Sequence, residues 1–206
     1  MRHLFQIGLF LSLFLSAPAH AYLVIGESAE ILPISTYRIG AAPQFYLSDG
    51  GGLNVLGYVD AALTDSTSMR VQAGGGEIDF FAGASFKWVP IPDFENQPAI
   101  GVKIGANFGR EADENLTSFQ LSPLVSKKVE TDYGLLIPYA SLSLSRTSVR
   151  GETDTGFQVV GGTEWIHPDT HFQFGAELGL EAKDSYSYLM GWISIPLDEV
   201  KKLKTR

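Results

Sequence analysis

Between residues 171 and 183 the chain reads HFQFGAELGLEAK, and its two residue classes separate completely by parity. Phe172, Phe174, Ala176, Leu178, Leu180 and Ala182 take one set of positions; His171, Gln173, Gly175, Glu177, Gly179, Glu181 and Lys183 take the other. Successive side chains of a strand point to opposite faces, so the stretch predicts a strand with one oily and one polar face. A soluble sheet turns the oily face to a protein core and the polar face to water. A membrane barrel turns the oily face to lipid and the polar face to its own lumen. The rest of the chain has to choose between them.

The same alternation recurs along most of the sequence. From Thr36, the residues Tyr37, Ile39, Ala41, Pro43, Phe45 and Leu47 oppose Arg38, Gly40, Ala42, Gln44 and Tyr46, and the run stops at a turn signal, SDGGG, over residues 48–52. Leu53, Val55, Gly57, Val59, Ala61 and Leu63 then oppose Asn54, Tyr58 and Asp60, followed by a short run with Met69, Val71 and Ala73 against Arg70 and Gln72. The glycine triplet 74–76 can supply the positive-φ positions of a hairpin, which divides two strands there; a bulge within one long strand is the alternative. Ile78, Phe80, Ala82, Ala84, Phe86 and Trp88 next oppose Asp79, Phe81, Gly83, Ser85 and Lys87, and Ile100, Val102, Ile104, Ala106 and Phe108 oppose Gly101, Lys103, Gly105 and Asn107. Later strands are expected near residues 116–126, 134–146, 155–166, 171–183 and 185–196. Pro43, Pro123 and Pro138 fall inside strands, where each predicts a bulge or a local end. In the last strand Tyr188, Met190 and Trp192 compete with Leu189, Ile193 and Ile195 for the outer face.

The first 21 residues carry Arg2, an apolar run over residues 7–15 and an A-x-A site ending at Ala21. That pattern predicts a cleaved secretory leader, and its apolar run is too short to span a membrane as a helix. The chain contains no cysteine, which removes disulfides, thiolate metal sites and a cysteine nucleophile together. Its formal charge of −8 argues against nucleic acid as partner. After the leader, residues 22–35 have no clear period and are expected to be a periplasmic lead-in. Residues 36–197 form the strand-rich body, and 198–206 a polar periplasmic tail.

About ten strands of membrane-spanning length, in the range eight to ten, fit this body. Aromatic residues give an independent test. If strands alternate up and down from a periplasmic start, one end of the outer face carries Tyr37, Trp88, Trp165, Phe172 and Trp192. The other carries Phe45, Phe80, Phe108, Phe119 and Phe157. Two girdles at the two interfaces are the signature of a lipid-facing barrel, and a soluble sandwich has no reason to produce them. With its leader, alternation and girdles, the chain resembles the small bacterial outer-membrane β-barrel proteins over nearly all of residues 36–196. The resemblance implies an all-β fold, a closed antiparallel up-and-down transmembrane β-barrel, set in outer-membrane lipid. It departs from that family in its polar end, where a terminal aromatic residue is usual.

The inward-facing charges are Arg38, Arg70, Lys87 and Lys103 with Asp60, Asp79, Glu164, Glu177 and Glu181. Both signs projecting into a narrow interior are expected to pair, since an unpaired desolvated charge is costly. About ten strands lie nearer the eight that side chains fill than the 16–18 that leave an aqueous channel, which favours a largely plugged polar lumen. His167, Asp169 and His171 form the one histidine cluster of the mature chain, but a proline turn explains them, and no further metal ligand is assignable. No nucleophile, base and oxyanion donors can be assembled, so no cofactor, metal or catalytic residue is assigned. Residues 110–115 and 147–154 are expected to be extracellular loops, the candidate surface for a ligand. The expectation is therefore a non-enzymatic structural or interaction protein of the outer membrane. A narrow porin-like channel for small solutes and a soluble periplasmic β-sheet binding protein are the competing classes.

Overall fold

The computed structural model describes residues 26–48, 51–111 and 113–198. The expected leader, 1–21, and residues 199–206 of the tail lie outside them. The strands are β1 (Thr36–Tyr46), β2 (Gly52–Thr64), β3 (Thr67–Gly76), β4 (Phe80–Ile91), β5 (Ala99–Glu111), β6 (Glu114–Ser126), β7 (Val129–Thr131), β8 (Gly134–Val149), β9 (Glu152–Ile166), β10 (Gln173–Lys183) and β11 (Tyr188–Asp198). Neighbours in sequence pair antiparallel, β11 pairs back onto β1, and β6 pairs directly with β8. The result is a closed barrel of ten long strands, with the three-residue β7 appended to the start of β8 as a hairpin arm.

The glycine triplet ends β3, and a turn over residues 77–79 leads into β4, so the stretch is two strands rather than one bulged strand. The prolines do not interrupt their strands. Pro43 pairs with Val55 and Pro123 with Val102, and in each case only the ladder on the other side skips two positions before resuming in the same register. A strand residue donates its N–H toward one neighbour only, so proline removes a bond on that side and leaves the other ladder whole. Pro138 likewise pairs with Thr163, at the end of the β6–β8 ladder. Register shifts occur instead near strand ends, at residues 62/64, 88/91 and 181/183.

Parity decides the two faces as the alternation requires. Ile39, Val55, Val71, Ile104, Leu121, Leu142, Val159, Leu180 and Leu189 are exposed on the outer surface. Leu56, Tyr58, Tyr139, Val160, Tyr188, Met190 and Trp192 are buried inside. The last strand therefore turns Tyr188, Met190 and Trp192 inward and Leu189, Ile193 and Ile195 outward.

Glycine makes room for those large inward rings. Gly40 lies opposite Tyr58, Gly162 opposite Tyr139, Gly175 opposite Trp192 and Gly179 opposite Tyr188 in the ladders. A Cβ at any of the four would come within 2.5 Å of its partner's ring. Each aromatic side chain lies down across the bare backbone of the next strand, a close approach only glycine allows.

Candidate functional site

Seven of the sequence-predicted charges meet in the half of the lumen where both described termini lie. Arg38 of β1, Asp60 of β2, Arg70 of β3, Lys87 of β4, Lys103 of β5, Glu164 of β9 and Glu177 of β10 are all 5% exposed or less. Cross-strand register explains the first group: Asp60 is directly opposite both Arg38 and Arg70. Arg70 donates Nε and Nη2 to the two Asp60 oxygens at 2.6 and 2.9 Å, while Arg38 donates Nε to Asp60 at 2.8 Å and Nη1 to Glu164 at 3.1 Å. The Arg70 guanidinium also sits 4.1 Å from the centre of the Tyr58 ring. Glu177 accepts hydrogen bonds from the hydroxyls of Tyr139 and Tyr188, two of the rings laid over glycine.

Lys87 and Lys103 pose a different problem, because they are cross-strand partners of the same sign. Like charges directly opposite repel. The counter-charge comes from Glu27, whose carboxylate lies 3.0 Å from Lys87 Nζ and 3.3 Å from Lys103 Nζ. Residues 26–29 are buried among these side chains, so this part of the lead-in runs inside the barrel rather than outside it. The segment is held there through its backbone as well as through Glu27. Gly26 N–H donates to Glu177 at 2.9 Å and Ser28 N–H to Glu164 at 2.6 Å. Lys87 donates to the carbonyls of Ser28 and Glu30, both at 2.7 Å, and Arg70 to that of Gly26 at 3.3 Å. Burial alone would raise the Glu27 pKa, but Lys87, Arg70 and Lys103 outweigh it and hold the group well below the ordinary carboxylate range.

The buried charged side chains among the described residues are four cations and four anions, and Glu27 is the fourth anion. Asp79 and Glu181 are not among them; both are exposed. Asp79 lies in the β3–β4 turn, which resets the alternation and sends Ile78 inward. Glu181 lies at the far end of β10, where the register shifts.

Of the expected girdle, Tyr37, Phe45, Phe80, Trp88, Phe108, Phe119 and Phe172 are exposed on the outer face, and Phe157 and Trp165 are half-buried. Trp192 is the exception: it is only 5% exposed, inside the barrel, tilted against Tyr139 at 6.3 Å. A flat site over Gly175 accepts its ring, and Ile193 takes the outer position.

His167 packs edge-on against Trp165 at 5.2 Å, and no group of three metal-ligating side chains occurs among the described residues. The expected loops at 110–115 and 147–154 are mostly strand. The β8–β9 connection is just Arg150 and Gly151, both at positive φ, as a two-residue hairpin turn requires. The longer connections lie at the opposite end, beside the termini. There Lys127 pairs with Asp93, and Lys128 reaches Glu30 of the inserted segment at 2.5 Å.

Sequence reasoning missed Glu27, Ser28 and Tyr139, left Tyr188 undecided between the faces, and placed Trp192 on the outer one. One signal was present: Lys87 and Lys103 face inward side by side, and no acid on a neighbouring strand answers them.

No family model matches the chain, and no curated protein matches it. Among solved structures, the barrel domain of OprF from Pseudomonas aeruginosa is 13% identical, with a TM-score of 0.38, over 80% of this chain and 98% of that one. LpxR from Salmonella typhimurium is 11% identical, with a TM-score of 0.43, over 78% of this chain and 99% of that one. A designed transmembrane β-barrel is 12% identical, with a TM-score of 0.41, over 81% of this chain and 99% of that one. Likeness at this level carries no inference about function.

Proposed function

We propose that this chain is an integral outer-membrane β-barrel whose lumen is filled by its own N-terminal segment, and that it acts without catalysis as a structural or interaction component of the envelope. The observation that carries the reading is the inversion of the molecule. Large apolar side chains cover the outside, while the inside holds eight charged side chains. In water such an outer surface would be an aggregation site of far more than a few hundred Å2; in lipid it is the required solvent.

An eight-stranded barrel is just filled by wall side chains. Ten strands leave more width, and the buried residues 26–29 occupy it. The leader at residues 1–21 supports export. The soluble alternative fails on the apolar exterior, and recovery of the protein from the periplasm without detergent would revive it. Conductance in planar bilayers tests the lumen. Purified full-length protein is expected to be silent, and steady ion-selective channels would replace this reading with the porin-like one.

A further inference from the structure

The inserted segment is held in the way a receptor holds a peptide. Over residues 26–30 the barrel wall contacts two backbone N–H groups, three carbonyls and one side-chain carboxylate, using residues from β3, β4, β5, β9 and β10. The wall alone carries four buried cations and three buried anions, so its interior has one positive charge in excess. That excess is concentrated where Lys87 and Lys103 face each other. Covalent attachment is not part of the recognition, because the polar contacts with the barrel strands end at Glu30, Ile31 adds only apolar packing, and residues 33–35 are exposed.

We infer that the Arg70, Lys87 and Lys103 side of the lumen is a binding site for a short acidic peptide, which the chain keeps occupied with its own residues 26–30. Glu27 is a tethered carboxylate ligand. Glu164 and Glu177 read the N–H groups on either side of it, and the three cations read the carbonyls and the carboxylate. The site takes the same ligand in trans once the tether is cut. This rests on the plugged-lumen reading, but the two fail differently: conduction by the intact protein defeats that reading, and failure of peptide to bind an emptied barrel defeats this one.

The test uses full-length protein with a protease site placed in the exposed linker at residues 33–35, cleaved after assembly in detergent. The released N-terminal piece is expected to stay bound through gel filtration and to be exchanged by an excess of labelled peptide GESAEILP. The same peptide with Glu27→Gln should bind about 10- to 100-fold more weakly, the factor for a charge-assisted bond lost from buried partners. Lys87→Met in the barrel should weaken the native peptide and largely erase the difference between the two. A piece that leaves while the barrel stays folded, with no rebinding, overturns the proposal. So does equal binding of the two peptides. If cleavage unfolds the barrel, refolding with and without added peptide decides: recovery that depends on the native peptide and not on the Gln variant supports the site, and recovery indifferent to both sinks it.

Discussion

At the far end of the barrel, Asn54 donates to the Tyr46 hydroxyl at 2.6 Å and accepts from the backbone N–H of Ile78 at 3.1 Å. Tyr46 packs at a tilt against Tyr186, 5.3 Å between ring centres, and Tyr186, like Ile78, comes from a hairpin turn folded inward over the lumen. At the end where the termini lie, Arg38, Asp60, Arg70, Lys87, Lys103, Glu164 and Glu177 are joined through a segment that belongs to no strand. These neutral groups are completed by side chains of the same or the adjoining strand, or by backbone. Charges need a partner of opposite sign, and where two lysines meet across the ladder that partner comes from outside the wall. A serine-rich strip on β6 and β8 behaves like the far half: Gln120, Ser122 and Ser143 satisfy one another locally, at 2.8 to 3.2 Å.

If the halves differ as described, removing a hub should cost more in the charged one. Asp60→Ala leaves Arg38 and Arg70 facing each other without their shared anion, and should destabilise by about 3–5 kcal/mol. Asn54→Ala strands the backbone N–H of Ile78 and removes one of the hydrogen bonds of the Tyr46 hydroxyl, which keeps Gln44, for about 1–3 kcal/mol. Urea titrations of the protein folded in lipid vesicles compare the two directly, and equal losses would mean that the charged cluster is hydrated and no different in kind.

The wall offers a second contrast within one residue. Leu178 is exposed on the outer face in mid-strand and Glu177 is buried on the inner one. Leu178→Arg should cost about 2–4 kcal/mol, the penalty for charge at mid-depth in lipid. Glu177→Gln keeps an oxygen for the tyrosine hydroxyls and should still assemble. The heat-modifiable fraction on a detergent gel reports both, and comparable assembly of the two variants would reverse the assignment of faces.

The barrel was legible because parity is a local property that every strand repeats, and ten strands with one oily face leave few alternatives. Arg38, Asp60 and Arg70 could be placed together for the same reason. Trp192 could not. Both parities of its strand are apolar, so the deciding fact is Gly175 on the neighbouring strand, and that needs the register. Asp79 failed because alternation does not carry through a turn. Glu27 was out of reach for a deeper reason: a segment without periodicity has no face to assign, and its place is set by a charge deficit distributed over β3, β4 and β5.

Glu27→Gln gives the most specific of these effects. Glu27 is held well below its ordinary value of 4.5 by Lys87, Arg70 and Lys103 against the opposing pull of burial. A group whose pKa is depressed on folding contributes stability in full above its unfolded pKa, and loses it only as pH falls through the folded value. The difference in stability between wild type and Glu27→Gln, about 1.5–3 kcal/mol for a charge-assisted contact with buried cations, should therefore be constant from pH 5 to pH 8. It should begin to narrow below about pH 4.5, where the carboxylate of the unfolded chain takes up its proton, and close only at lower pH, once the folded one does so too and leaves Lys87 and Lys103 facing each other in both proteins. Asn54→Ala in the neutral half provides the control, since neither Asn54 nor its described partners titrate in the acid range. Other carboxylates protonate in all three proteins and cancel in the differences. A Glu27→Gln difference that changes between pH 6 and pH 8 would show that a different group sets the charge of the lysine pair, and would remove Glu27 from the centre of the charged half.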